Sequence, residues 1–150
     1  MDRVAAVVAL LGSGVVTGVL FAVALSMVPA LMAMTPDRYI HAHKLLGRNW
    51  DPTMPIIVIG ATLADVAWAV SAGAAATRAA ALTAAVLLVG VSVVSHLANV
   101  PINKRMRAVD AEAIPADWSD PRPVWRSWHL LRTSLAAAAF AANCLAATWV

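Results

Sequence analysis

The sequence predicts an all-α protein, a four-helix transmembrane bundle. Three observations carry that expectation. Of 150 residues, 61% are hydrophobic and only 13% charged, against about 25% charge in an ordinary soluble domain. Four apolar stretches are each long enough to cross a bilayer, which takes roughly 20 helical residues. Backbone polar groups in hydrocarbon must find partners within the chain, which makes each of these spans a helix.

The first span, about 4–34, carries no charge over its 31 residues. A cleavable secretory leader has an apolar core of only ~7–15 residues, so this segment reads as a retained helix, bent near its end by Pro29. The second span covers about 55–76, the third about 79–100 and the fourth about 128–150. Runs such as "AGAAATRAAALTAA" and "SLAAAAFAANCLAA", with "GSGVVTG" in the first helix, let backbones approach closely through small side chains. One domain over residues 1–150 is expected, with no internal repeat, and small-residue faces left outside suit a homo-oligomer. Cys144, the single cysteine, sits in an apolar run and offers no disulfide framework.

Four crossings put segments 35–54 and 101–127 on one side of the membrane. Both termini and the turn near 73–78 lie on the other. Of 11 lysines and arginines, only Arg3 and Arg78 fall on the terminal side. The positive-inside rule therefore predicts a multi-pass protein with its long loops in the cytoplasm and both termini opposite. The net charge of +3 is accounted for by these flanks, so nucleic acid is not an expected partner. The bilayer is.

The informative residues are polar ones at the loop-side helix ends. In "SHLANVPINK", Ser92, His96, Asn99 and Asn103 follow a four-three-four spacing, which a helix continued past Pro101 would align on one face. Trp125, His129 and Arg132 repeat the habit in the fourth helix, continuing to Asn143. Asp65 falls deep in the second span, where an ionisable group costs ~2.5–3.5 kcal/mol on insertion scales; it should face the interior, be protonated or meet a cation such as Arg132. Plainer roles compete. Asp65 can be interhelical glue, and Asn99 and Asn103 can cap carbonyls freed near Pro101. Trp125 and Trp128 can belong to the interfacial aromatic belt, and Arg132 can reach toward the headgroups.

All four histidines, His41, His43, His96 and His129, lie on the loop side. Together they can supply three or four nitrogens to copper, iron or zinc, or His96 and His129 can ligate a haem between two helices. Neither arrangement has a spacing signature, and the residues favour histidines acting as proton acceptor or hydrogen-bond donor over a metal or haem site.

Across nearly the whole chain the sequence resembles the anthrone oxygenase-like family of small membrane proteins. The resemblance rests on the glycine-rich first helix running into "ALSMVPALM", on "NVPINKRM" after the third, and on "WRSWHLLRTSLAAAAF" at the fourth. The family's Asn-x-Pro-x-Asn element corresponds to Asn99, Pro101 and Asn103. Its tryptophan-arginine element corresponds to Trp125, Trp128 and Arg132, while His129 stands where many relatives carry asparagine. The resemblance implies oxygenation of a lipophilic, electron-rich aromatic such as an anthrone, with dioxygen as co-substrate. On that expectation His96 or His129 takes a proton, Asn99, Asn103 and Arg132 hold an oxyanion, and Trp125 and Trp128 wall a flat ring. Asp65 is grouped with the substrate-binding residues. Two other classes fit the residues: a non-catalytic membrane module that binds haem, metal or a lipophilic ligand, and an accessory membrane subunit.

Overall fold

A computed structural model describes residues 2–50 and 52–149, Asp2 by its backbone only. Among the described residues the chain is helical without strands. Four helical segments are long and apolar enough to cross a membrane: Arg3–Ala33, Thr53–Ser71, Ala75–Ala108 and Arg122–Thr148. Val150, where the fourth span was expected to end, lies outside the described residues.

The first segment is α1 (Asp2–Ala22), a π turn (Val23–Met27) and α2 (Val28–Ala33). After a short helix α3 (Pro36–Leu46) come α4 (Thr53–Ser71) and α5 (Ala75–Val94). A second π turn (Ser95–Asn99) leads into α6 (Val100–Ala108), and α7 (Arg122–Thr148) closes the chain. The third segment thus continues past its expected end at Val100. Pro101 does not loosen it, because the π turn lies just upstream. Proline has no N–H and its ring collides with the carbonyl four residues back. For Pro101 that carbonyl belongs to Leu97 and for Pro29 to Leu25, both inside π turns. There the N–H of Val100 bonds the Ser95 carbonyl and that of Val28 bonds Val23, a five-residue reach that widens the helix.

Helix α1 packs on α4 and α7, and α5 packs on the same two, so α1 and α5 stand diagonally across the bundle. Small residues set the spacing. A Cβ at Gly12 would lie 2.8 Å from the Ala61 Cβ and one at Gly14 would lie 3.3 Å from the Phe140 ring, whereas Gly18 has open space beside it. Thr17 Oγ1 donates to the Ala136 carbonyl at 2.9 Å, joining α1 to α7. The central core is built from Val16, Leu20, Val58, Leu88 and Val91 with alanines of α4, α5 and α7. Outside, Val70, Val86 and Leu97 are at least 70% exposed; apolar surface of this extent belongs against lipid.

The loop side is tied together by two cations. Lys44 Nζ donates to the Val109 carbonyl at 2.6 Å, holding α3 to the end of α6. Arg122 donates through Nη1 to the carbonyls of Leu31 and Met34 at 3.0 and 2.7 Å and pairs with Asp120. Its guanidinium lies 5.0 Å from the centre of the Tyr39 ring. These contacts dock the start of α7 against α2 and α3, which brings Trp125 to His43.

Candidate functional site

Above the central core, at the loop-side end of the bundle, lies a cavity of about 140 Å³. Its apolar wall includes Val19, Val23, Met27, Met54 and Val58, and its polar wall is formed by His43, Ser95, His96, Asn103, Trp125 and Arg132. Both π turns contribute, Val23 and Met27 from one and Ser95 and His96 from the other. Side chains from α3, α5, α6 and α7 thus line one cavity.

Trp125 organises the polar wall. Its ring stacks on the His129 imidazole, centroids 5.1 Å apart and planes within 4°. On its other flank it meets the His43 ring edge-on at 5.9 Å. Its Nε1 donates to Asn103 Oδ1 at 2.9 Å. That bond orients the Asn103 amide, and the Asn103 side chain also hydrogen-bonds His43.

Arg132 is one of two arginines in the cavity wall, the other being Arg107. Arg132 donates through Nε and Nη2 to Nδ1 of His129, at 3.1 and 2.9 Å, and through Nη1 to Ser95 Oγ at 3.3 Å. Among the described residues no carboxylate pairs with this guanidinium. A guanidinium has five N–H donors, so these three contacts leave two for the cavity. An anion entering there would meet a positive charge that no described carboxylate competes for.

The same contacts fix His129. A guanidinium only donates, so Nδ1 is an acceptor and the ring hydrogen sits on Nε2, which donates to the Leu20 carbonyl at 3.1 Å. Both nitrogens are engaged, and the residue is fully buried and absent from the cavity wall. These contacts set His129 behind Arg132, whose guanidinium it holds in place. They also leave no free lone pair for a haem iron, so bis-histidine ligation by His96 and His129 does not fit this arrangement.

His43 takes the position from which a proton could be removed. It is buried, sits outside the membrane-spanning segments and lines the cavity. Burial holds its imidazole below the usual value, the charge of Arg107 adds to that, and the Asn103 hydrogen bond works against both. His43 is accordingly a neutral base at pH 7.

The other expected residues fall elsewhere. His96 stands at the exposed edge of the cavity with Nδ1 donating to the Ser92 carbonyl at 2.9 Å. Asn99 is fully buried off the cavity, and its Nδ2 donates to the Trp125 carbonyl at 3.2 Å, which ties the π turn to α7. Trp128 is 41% exposed and faces outward, as a membrane-belt residue does. Asp65 is buried between helices, apart from this cavity and from Arg132. The histidines do not cluster: His41 is exposed on α3, and among the described residues no three of His, Cys, Asp or Glu come together to hold a metal ion. The expected metal set of His41, His43, His96 and His129 does not fit the geometry.

No curated protein and no solved structure matches the chain. A family model described as "Anthrone oxygenase" matches residues 43–142, two thirds of its length. His43, His96, Asn103, Trp125 and Arg132 all fall inside that match. This membrane protein belongs to the anthrone oxygenase family.

Proposed function

We propose that the protein is a membrane oxygenase that oxidises a lipophilic, electron-rich aromatic of the anthrone type with dioxygen, in the cavity between α1, α4, α5 and α7. The observation that carries this reading is Arg132: a guanidinium on the wall of a largely apolar chamber, without a carboxylate partner among the described residues, in a cavity that a buried imidazole also lines.

The chemistry needs little more. An anthrone carries a CH2 group made acidic by the ring carbonyl across from it. His43 takes one of these protons, and the negative charge moves onto the carbonyl oxygen. Arg132, with the Asn103 amide, stabilises that enolate where it forms. The enolate gives electrons to dioxygen and its carbon bonds the reduced oxygen, forming a hydroperoxide that recovers the proton from His43. Loss of water breaks the O–O bond and leaves a second ring carbonyl, so one dioxygen is consumed and one water released per quinone. The apolar wall dissolves both the ring system and dioxygen and limits water beside the enolate. His96, at the exposed edge, meets the substrate on entry. The long loops, which carry most of the basic residues, are assigned to the cytoplasm by the positive-inside rule; cysteines placed in loop 109–121 should react with a membrane-impermeant thiol reagent only after the membrane is opened from that side.

The test is an oxygen-electrode assay of the purified protein in detergent micelles with an anthrone, followed by absorbance of the quinone. Wild type should consume oxygen above the buffer rate, and Arg132→Ala and His43→Ala should not. Tight binding of the anthrone without oxygen uptake would favour a binding module; uptake equal in both variants would remove these residues from the chemistry.

A further inference from the structure

We propose that Asp65 carries a proton at neutral pH and, with Asn143 and Ser13, closes a hydrogen-bonded latch joining α4, α7 and α1 deep in the membrane. This site is separate from the cavity. On α7, Asn143 lies 11 residues beyond Arg132, about 16 Å along a helix rising 1.5 Å per residue. Asp65 stands about 18 Å from Thr53 at the start of α4, by the same rise.

The argument is an accounting of donors. Asp65, Asn143 and Ser13 are all fully buried. Ser13 Oγ donates to the Ala9 carbonyl at 2.6 Å and accepts from Asn143 Nδ2 at 3.1 Å. That chain leaves three buried acceptors without a partner: Oδ1 and Oδ2 of Asp65 and Oδ1 of Asn143. The Asn143 amide faces the Asp65 carboxyl, and Nδ2 retains one hydrogen after serving Ser13. Buried polar groups normally have partners, and here one spare hydrogen faces three acceptors.

A carboxylate would take the spare amide hydrogen on one oxygen and leave its other oxygen and Asn143 Oδ1 orphans. It would also leave a full charge in hydrocarbon. Among the described residues no cation acts on it: α1 offers Ser13, α7 offers Asn143, and the α5 residues in the adjoining cores are apolar. A protonated carboxyl resolves all of this at once. Its O–H donates to Asn143 Oδ1, its carbonyl oxygen accepts the spare N–H, and the second amide hydrogen remains on Ser13. The acid and the amide are complementary, as two primary amides would be. A metal ion has no comparable fit. The backbones of α1 and α4 are in contact one turn away, where Gly12 admits no Cβ beside Ala61.

Infrared spectroscopy of the intact protein in lipid at neutral pH reads the proton directly. Among the described side chains the other acids, Asp37, Asp110, Glu112, Asp117 and Asp120, are exposed, and loss of the band in Asp65→Asn is what assigns a C=O stretch of a protonated carboxyl to Asp65. The band should appear in wild type, shift in D2O and vanish in Asp65→Asn, whose amide can donate to Asn143 in the same way. Should that variant fail to accumulate, wild type made with aspartate carrying 13C at the side-chain carboxyl answers instead: the band should move to lower frequency. Absence of the band, its survival in Asp65→Asn or its indifference to the label would overturn the proposal. So would a band that appears only when sodium and other metal ions are removed, which would make the site a cation site.

Discussion

The guanidinium of Arg132 grips a single atom of His129: Nε and Nη2 both stand within 3.1 Å of Nδ1. Nε2 of the same ring is anchored to the Leu20 carbonyl across the bundle. The cation is therefore aimed by a residue that never meets the cavity. Arg132→Ala should lower kcat by about 10²–10³-fold, the usual effect of losing one oxyanion donor. His129→Phe keeps the stack on Trp125 but removes the acceptor, and should approach that loss. His129→Asn supplies an amide oxygen for Arg132 and should restore most of the rate. Steady-state kinetics of the four proteins checks the order, and equal rates in the Phe and Asn variants would contradict a positioning role.

The pH dependence follows from His43. A base must be unprotonated to act, and burial holds this imidazole below its ordinary value of 6.5. The rate should therefore be flat through neutral pH and fall on acidification, with a midpoint under 6.5. His43→Gln should remove that acid limb and lower the rate by about 10²–10⁴-fold, the range general-base catalysis supplies. A kcat/KM profile of both proteins between mildly acidic and neutral pH measures it.

Trp125 and Asn103 should behave as one unit. Trp125→Phe keeps a flat ring between the two histidines and deletes the Nε1 donor at 2.9 Å. Asn103→Ala deletes the amide that this donor orients. Either change should raise KM for the aromatic substrate. In a double-mutant cycle the pair should be non-additive by about 0.5–1.5 kcal/mol, the worth of one hydrogen bond.

Close contact between α1 and α4 should limit stability at Gly12. A leucine there must displace Ala61, whose Cβ would lie 2.8 Å from the new Cβ. Overpacking of this kind costs about 1–3 kcal/mol. Gly18→Ala meets nothing within 4 Å and should be neutral or mildly stabilising. Thermal unfolding in detergent, followed by circular dichroism, separates the two.

Much of the architecture was written in hydropathy. The four spans and their packing through small residues follow from apolar length and from the alanines and glycines, because in a bilayer the backbone leaves no choice but helix. Of the site, Arg132, Asn103 and Trp125 could be read from spacing and from the family resemblance. The tertiary partners could not. His129 looks like a base until the Leu20 carbonyl, from a helix 109 residues away in sequence, claims its second nitrogen. His43 was legible only as half of "HAH", a candidate metal ligand, because nothing local says that α3 folds back onto α7. Trp128 faces outward as its plainer reading had it, while Asn99 caps no carbonyl near Pro101 and instead ties the Trp125 carbonyl on α7. The π turns left one trace that went unused: Leu-x-x-Val-Pro occurs at both 25–29 and 97–101, each time with the leucine in the widened turn.

Those two turns sit on diagonal helices and both border the cavity. The girth of the chamber is consequently fixed by backbone reach, five residues per bond in place of four, before any side chain is chosen. Trimming Val19 or Met54 to alanine should deepen the hollow for longer ring systems without broadening it. Broadening or narrowing it calls for a change in residue number, such as deletion of Leu97, which forces Pro101 against a regular turn. The length and the width of the guest this cavity accepts should thus prove to be separately tunable.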